Sequence, residues 1–430
     1  MNDVKIADHP QLAGYLKTLG RRKNLSKKYA AALAAYSKMV DDPKRAEQIL
    51  HRSWRVGVCS NVIRYDPATH KVVDSKSCGD RFCPICAHAK AMRLYHINKQ
   101  IIDQDPGKYL LITFTVPNCY PEALRDNLNL MKKAYRAWYK AVNYDHGGWL
   151  IGGIMGVEVT YNDEMHKRGL PCLHPHFHLL CHVTDKYYQT IIDDLPNGSR
   201  FRPYAQLPPG ERVRTSYTYR DGSWHITEQV KKTYAPKYKY RETVDKLRRR
   251  WMNLIGLPVE DGCPLLQCDI TPVDGRGENT VEGACLEVSK YMVKATAYVY
   301  NPYIIGTMME QMRSLAQYTY CGSWRKLSVV LMAKDKEEYS EFRKIKDSRN
   351  IEFLYICYDD GNRSFGLYRS VPGWVETTDD VSQSIRNANY QRRRRQQWQK
   401  KQEDIAHYHR ILGKAAPTRI EPVFEQLKIS

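Results

Sequence analysis

Apolar residues are concentrated in four short segments bounded by polar or turn-forming residues, a pattern typical of buried β-strands. The segments are Tyr109–Val116, Ile154–Asn162, Leu173–His182 and Cys268–Val273. The first is rich in β-branched and aromatic residues and ends at a Pro-Asn pair, while a polar loop joins the second to the third. We therefore expect the second and third segments to pair as a hairpin.

Segments with helical spacing of apolar residues lie between these strands and predict a mixed α+β chain. The expected helices are Ala30–Val40, Asp42–His51, Pro121–Val142, Lys186–Asp194, Leu247–Ile255 and Ala284–Tyr300. Residues 195–245 are polar and contain Pro-Asn-Gly-Ser and Pro-Pro-Gly breakers, so we interpret them as an insertion or a mobile hairpin. Near the end of the chain, Phe353–Tyr358 and Ser364–Tyr368 are candidates for a further strand pair.

The histidine strand, Leu173–His182, carries the first candidate chemistry. His176 and His178 are two residues apart, so a strand directs both imidazoles to one face and sends Phe177 into the core on the other. Two imidazoles on a rigid strand form half of a metal site. The alternative is that the histidines only fill the face of a sheet through hydrogen bonds.

A third metal ligand is expected from the neighbouring strand. If the hairpin is centred near residue 167, Glu158 lies opposite His176 and can converge with His176 and His178 on one ion. A shift of one residue would turn Glu158 away, and His174 or His166 are then the alternatives. A His-His-carboxylate set suits Mn²⁺, Mg²⁺ or Zn²⁺ in a Lewis-acid role.

A polar stripe follows the predicted helix Ala284–Tyr300. Glu287, Tyr291, Lys294 and Tyr298 follow one another at helical spacing and share one face. Phosphodiester transfer needs a nucleophile, a positive charge and a group that handles a proton, which Tyr291, Lys294 and Glu287 provide in that order. Taken alone, the stripe is more typical of an ordinary surface helix.

Four cysteines form a second candidate metal site. Cys59, Cys78, Cys83 and Cys86 have the spacing C-x18-C-x4-C-x2-C, which supports a structural Zn²⁺ site of four thiolates. His88 is a candidate replacement for one of them. The alternative is a set of free thiols in a reduced core.

Charge indicates the partner class. The chain has 430 residues, with 67 Lys and Arg against 47 Asp and Glu, a formal net charge of +20. This balance favours nucleic acid over a merely solvated basic surface. In the Gln-rich tail, Arg392, Arg393, Arg394 and Arg395 are candidate contacts with the DNA backbone. No apolar stretch approaches a membrane span and no secretory signal is recognised, so we expect a cytoplasmic protein without a membrane partner.

Three segments, in this order, resemble a known family. They are the Thr-containing strand Leu111–Asn118, the histidine strand, and Glu287-Val-Ser-Lys-Tyr291-Met-Val-Lys294. Over about residues 54–335 the chain is similar to the rolling-circle replication initiators of small bacterial plasmids, in the branch of the HUH endonuclease superfamily with a Glu four residues before the nucleophilic Tyr. The segment Cys78–Cys86 also resembles that branch.

The resemblance implies a fold and a mechanism. The fold would be a central antiparallel sheet with the histidine strand in its middle and the tyrosine helix packed against it. His176 and His178 would bind the metal, Tyr291 would attack origin DNA and hold a 5′-phosphotyrosyl link, and Glu287 would activate water at termination. Tyr298 follows Ala297 where the family often has an aspartate and a tyrosine, and is a candidate second nucleophile.

The resemblance also implies host partners. Because the chain has no Gly-x-x-x-x-Gly-Lys phosphate loop, unwinding would need a host helicase, and a host DNA polymerase would extend the freed 3′-OH. The alternatives are a mobilisation relaxase or single-strand transposase with the same site, and a non-catalytic zinc protein that binds DNA and represses its own promoter.

Four regions are expected along the chain. They are a helical region over residues 1–53, a cysteine-rich zinc module over 54–100, a nicking domain over 101–345 with its insertion at 195–245, and an extension with a basic tail over 346–430.

Overall fold

The computed structural model describes most of residues 10–368, and every structural statement below concerns the described residues. These are 10–68, 71–75, 77–145, 148–194, 205–207, 210–234, 237–239, 242–258, 268–273, 280–289, 301–348 and 354–368. Tyr291, Lys294, Tyr298 and the run Arg392–Arg395 lie outside them.

Helices and strands intermix along the chain, as the sequence predicts. The helices are α1 (Pro10–Ser37), α2 (Pro43–Gly57), α3 (Pro84–Gln104), α4 (Leu124–Lys140), α5 (Asp163–Lys167), α6 (Asp185–Asp194), α7 (Glu242–Ile255), α8 (Val281–Ser289), α9 (Pro302–Gln311) and α10 (Ser323–Ser348). The strands are β1 (Val62–Asp66), β2 (Lys71–Ser75), β3 (Lys108–Thr115), β4 (Leu150–Tyr161), β5 (Leu173–Val183), β6 (Ala205–Leu207), β7 (Gly210–Arg220), β8 (Ser223–Tyr234), β9 (Lys237–Lys239), β10 (Cys268–Val273), β11 (Tyr318–Gly322), β12 (Leu354–Asp359) and β13 (Ser364–Tyr368).

Helix starts follow simple capping rules. Asp42 accepts a hydrogen bond from the backbone N–H of Lys44 at 3.0 Å, and Pro43 follows in the first turn of α2. Helix α1 begins at Pro10 rather than Ala30, because Leu12, Leu16 and Leu19 also recur at helical spacing and are buried. Helices α2 and α10 run past the expected region boundaries at 53/54 and 345/346.

The main sheet has five antiparallel strands in the order β10-β3-β5-β4-β11. The histidine strand β5 therefore lies at its centre, as expected. The hairpin register is also confirmed, since Glu158 pairs with His176. Central antiparallel pairing with flanking helices confirms the α+β class.

Each face of this sheet has its own apolar core. On one face Phe114 stacks on Trp251 of α7 with ring centroids 4.3 Å apart and meets Trp138 of α4 edge-on at 5.1 Å. On the other face Ile154 and Leu180 belong to a buried cluster with residues of α3, α8 and α10. The side chains of the candidate site lie on this second face, beside α8.

A second, four-stranded sheet has the order β13-β12-β1-β2. The expected pairing of the two late strands is confirmed, and β12 also pairs with β1, with Arg64 opposite Tyr355. Tyr358 of β12 donates a hydrogen bond to Asn24 Oδ1 of α1 at 2.7 Å. Residues 354–368 therefore pack against β1 and α1, close in sequence to Cys59.

Within the described part of the insertion, β7 and β8 form a hairpin, and β6 pairs with β9. Asp221 and Gly222 close it with φ angles of 51° and 77°, which fits a two-residue type I′ turn. The hairpin is anchored on α4 and α7, since Asn127 donates to Tyr219 O at 2.9 Å and Trp224 Nε1 to Ile255 O at 2.8 Å. No helix in the described part of the chain is both long and apolar enough to cross a bilayer.

Candidate active site

Strand β5 sorts its side chains by face. His174, His176 and His178 lie half-buried on the α8 side, while Phe177 and Leu179 are buried on the other. The period-2 alternation of a strand is the cause, as the sequence predicts. Three imidazoles therefore share one surface of the sheet.

His178 is held at both ring nitrogens. Its Nε2 lies 2.9 Å from Glu158 Oε2, and its Nδ1 lies 3.1 Å from the hydroxyl of Thr113 on β3. Strand pairing places Thr113 opposite His178, so this contact follows from the sheet register. The Thr113 hydroxyl fixes the orientation of the ring, and the other ring nitrogen faces the carboxylate. Metal-binding histidines commonly have such an oxygen partner on the nitrogen that does not bind the metal.

Helix α8 adds a second carboxylate. The ligand atoms of Glu158, His178 and Glu287 all lie within 4.8 Å of one another. Close approach of α8 to β4 makes this possible, because a Cβ on Gly156 would lie only 2.6 Å from the Val288 carbonyl oxygen. One imidazole nitrogen and two carboxylates are a donor set that fits a divalent ion such as Mn²⁺ or Mg²⁺.

His176 lies beside this trio. Its Nε2 is 3.2 Å from Thr160 Oγ1, and its ring centroid is 5.8 Å from that of His178. The structure therefore groups Glu287, rather than His176, with Glu158 and His178. Metal binding by His176 and Glu158, and the catalytic role of Glu287, stay predictions.

The two alternative ligands have other surroundings. The ring centroid of His174 is 4.4 Å from that of His176, and burial lowers the pKa of His174. His166 is on α5, where its Nδ1 lies 3.9 Å from Cys172 Sγ.

A buried hydrogen-bond network fixes the described end of α8. Asn98 of α3 is fully buried, accepts a hydrogen bond from Tyr320 OH at 2.7 Å and donates one to Ser289 Oγ at 3.1 Å. Ser289 is two residues before Tyr291 in the sequence. The network ties α3 and β11 to the helix that carries Glu287.

Sequence reasoning missed four features of this site: Thr113, Gly156, Asn98 and Asp269. Asp269 lies opposite Thr113 in the pairing of β10 with β3, and burial raises the pKa of its carboxyl. Thr113 and Asp269 could have been found only by aligning β10, β3 and β5 in register. Asn98 and Gly156 depend on helix packing, for which the sequence gives no local signal.

The cysteine cluster forms as its spacing predicts. The Sγ atoms of Cys59, Cys78, Cys83 and Cys86 lie within 4.8 Å of one another, with Cys86 Sγ at 3.5 Å from Cys59 Sγ and 3.4 Å from Cys78 Sγ. Tetrahedral zinc with Zn–S bonds of about 2.3 Å needs sulfurs roughly 3.8 Å apart, so the four thiols fit this ion. His88 lies outside the group.

Helix α1 supports the cysteine cluster. Lys23 is fully buried and donates to Gly57 O at 2.8 Å and Cys59 O at 2.6 Å. The hydroxyl of Ser26 lies 3.3 Å from Cys83 Sγ. Burial lowers the pKa of Lys23 to about 8, and the negative charge of the nearby Cys59 thiolate opposes this effect. A buried cation within electrostatic range of Cys59, Cys78 and Cys83 suits an anionic zinc–thiolate centre.

Comparison with known proteins finds replication proteins. The model of the family described as Replication protein matches residues 69–195, which include β3, β4 and β5. The chain is similar to replication proteins, as its motifs predict. The match contains Glu158, His176 and His178, and three of the four grouped cysteines. No solved structure matches the chain significantly.

Curated relatives cover part of the chain. A protein named Protein rep from Bacillus amyloliquefaciens is 26% identical over 200 residues, 44% of this chain and 54% of the relative. A second Protein rep, from Streptococcus pneumoniae serotype 2, is 25% identical over a match that covers 33% of this chain and 44% of the relative. A third, from Staphylococcus aureus, is 28% identical over 27% of this chain and 50% of the relative. The chain thus spans about half the length of these relatives.

Proposed function

We propose that this protein initiates plasmid replication by nicking one strand of origin DNA through a phosphotyrosine intermediate. The convergence of Glu158, His178 and Glu287 carries the proposal, because it joins the histidine strand to the helix whose sequence continues into Tyr291. The match to the family described as Replication protein and the relatives named Protein rep support it. A host helicase and a host polymerase in the cytoplasm would complete the reaction.

The residues present fit a divalent ion at the histidine site. When bound, Mn²⁺ or Mg²⁺ would polarise the scissile phosphate as a Lewis acid. Glu158 and His178, with His176 beside them, would hold it. The His178 tautomer with its proton on Nδ1 donates to Thr113 and leaves the Nε2 lone pair facing the site.

Tyr291 would perform the first transfer. Its oxygen forms a bond to phosphorus, its proton passes to solvent, and the bond from phosphorus to the 3′-oxygen breaks. That oxygen gains a proton and becomes the 3′-OH primer, while the 5′-phosphate stays on Tyr291. Lys294 would offset the negative charge that develops on the phosphate. At termination Glu287 would accept a proton from the attacking water.

A covalent-adduct assay tests the proposal. The full chain is incubated with labelled single-stranded origin DNA and Mn²⁺ or Mg²⁺, and a DNA–protein adduct is expected. Tyr291→Phe should abolish the adduct, and the matched Tyr298→Phe should retain it. An adduct that persists unchanged in Tyr291→Phe would exclude that residue as the sole nucleophile. DNA binding without any adduct would favour the non-catalytic repressor.

Glu287 has two competing roles that one variant separates. If it only activates water, Glu287→Gln spares the first nick and impairs termination. Because its carboxylate lies within 4.8 Å of the Glu158 carboxylate oxygen and the His178 ring nitrogen, it could also hold the ion. Equal loss of both steps, together with weaker Mn²⁺ binding, would contradict the role in termination and make Glu287 a metal ligand.

A further inference from the structure

A polar cavity of about 440 Å³ opens beside the histidine site. Its lining includes Asn118, Thr160, Asn162, Asp163 and His174. The volume lies within the range of small-ligand sites, roughly 300–1,000 Å³. It is therefore large enough for one nucleotide and too small for a duplex.

The cavity walls are fixed by backbone hydrogen bonds. Cys119 donates to Leu173 O at 2.7 Å and accepts from Cys172 N at 3.1 Å, which ties the segment after β3 to the start of β5. The same Cys172 also accepts from Asn162 N at 2.9 Å, and Asn162 Oδ1 accepts from Met165 N at 3.1 Å. The cavity thus lies where the end of β4, the start of β5 and the segment after β3 are held together, as expected of a preformed binding site.

The cavity continues the row of imidazoles. Thr160 Oγ1, in its lining, lies 3.2 Å from Nε2 of His176, and the ring of His174 is 4.4 Å from that of His176. His174 and His178 are four strand residues apart, roughly 13 Å along β5. A nucleotide in the cavity would therefore adjoin a phosphate at the trio without overlapping it.

Charge decides which end of a nucleotide enters. The lining carries the carboxylates of Asp163 and Glu164, which pair with the ammonium of Lys167 at 2.6 and 3.5 Å. Two carboxylates against one ammonium leave a net negative charge, which disfavours a phosphate. Hydrogen bonds from Lys167 and from Tyr161 lower the pKa of Asp163, so its carboxylate is ionised at neutral pH. Carboxylates in nucleic-acid interfaces accept hydrogen bonds from exocyclic amino groups such as cytosine N4. The amide nitrogen of Asn118 donates to Pro171 O at 3.3 Å, which leaves the amide oxygen as an acceptor and the second N–H as a donor for the edge of a base.

We propose that this cavity binds one unstacked nucleobase of the single-stranded substrate, adjacent to the cleaved phosphate, and prefers a base with an exocyclic amino group. The inference rests on the proposed function and adds a base-selective subsite to it. Bases leave the stack readily in single-stranded DNA, so extrusion into the cavity costs little there.

An abasic scan with two readouts tests the subsite. Oligonucleotides with one abasic position each are assayed for nicking by the full chain, and for binding to Tyr291→Phe by fluorescence anisotropy. A single position next to the cleaved phosphate should weaken binding about tenfold, and thymine there should bind less well than cytosine or adenine. Asp163→Asn should reduce this preference.

Asn118→Leu removes the amide at similar volume and should make binding insensitive to the abasic position. The matched control is Asn61→Leu, the same substitution at a position between Cys59 and the start of β1. Its binding should depend on the abasic position as that of the wild type does. Nicking without any base-sensitive position, or an unchanged scan in Asn118→Leu, overturns the subsite and leaves the proposed function standing. Base-sensitive binding without nicking overturns the proposed nicking function and leaves a base-binding cavity with no cleaved phosphate beside it, whereas absence of single-strand binding overturns both proposals.

Discussion

Gly156→Ala tests how closely the catalytic helix must approach the sheet. The added Cβ would lie 2.6 Å from the carbonyl oxygen of Val288, which is backbone and cannot rotate away. Ordinary contact begins near 3.4 Å, so α8 or β4 has to move by roughly 0.8 Å. Glu287 directly precedes Val288, and the proposed nucleophile Tyr291 follows three residues later in the sequence. A displaced α8 would therefore shift both groups relative to Glu158 and His178, and the first nick depends on Tyr291.

Two effects of different size are expected from this displacement. Overpacking a well-packed interface costs about 1–3 kcal/mol of folding free energy. A shift approaching 1 Å in a group that positions reacting atoms lowers the rate on the order of 100-fold. Single-strand DNA binding should change little, because Gly156 lies beneath α8 rather than in the cavity.

Gly153→Ala is the matched control on the same strand. Its Cβ would lie 2.5 Å from Leu180 O, an equally tight backbone contact that does not involve α8. Thermal unfolding of both variants is compared with their single-turnover nicking rates at saturating Mn²⁺. We expect similar losses of stability and a large rate loss only in Gly156→Ala. A folded Gly156→Ala that nicks at the wild-type rate, or an equal rate loss in Gly153→Ala, would refute the reasoning.

Three further predictions concern metal binding and buried polar groups. Purified protein should carry about one zinc per chain by elemental analysis, and Cys83→Ser should lose it and unfold at a lower temperature; native protein without zinc would contradict this. Asn98→Leu should cost about 1–3 kcal/mol in denaturant unfolding and slow nicking, since Tyr320 and Ser289 lose their partner; an unchanged nicking rate would show that the network does not position α8. Asp105→Ala should destabilise by about 2–4 kcal/mol yet spare single-turnover nicking, because its carboxylate binds His182 and Trp324 at the far end of β5.

Much of the fold follows from local patterns. The alternation in β5 is enough to place His176 and His178 on one face and Phe177 on the other. The polar loop of the hairpin sets its centre, so the pairing of Glu158 with His176 could be counted from the sequence. Cysteine spacing likewise predicts the thiol cluster, because a C-x2-C pair at a helix start brings two sulfurs together.

Contacts between distant segments could not be predicted. The pairing of Arg64 with Tyr355 joins strands about 290 residues apart, and neither strand carries a signal for its partner. The same holds for Lys23, whose single charge in a basic helix does not reveal that it is buried against Cys59. The grouping of Glu287 with Glu158 and His178 also depends on how α8 packs.

The sequence by itself determined which residues share a face, because the periods of strands and helices fix side-chain direction without knowledge of neighbours. These periods predict the histidine strand and the stripe that begins at Glu287, and the spacing of the cysteines predicts their cluster. Only the tertiary structure decided which carboxylates meet which imidazole, since that depends on strand register and on a backbone approach that Gly156 permits. The polar cavity beside His174 belongs to the same class, because its walls come from segments that meet only when the sheet has formed.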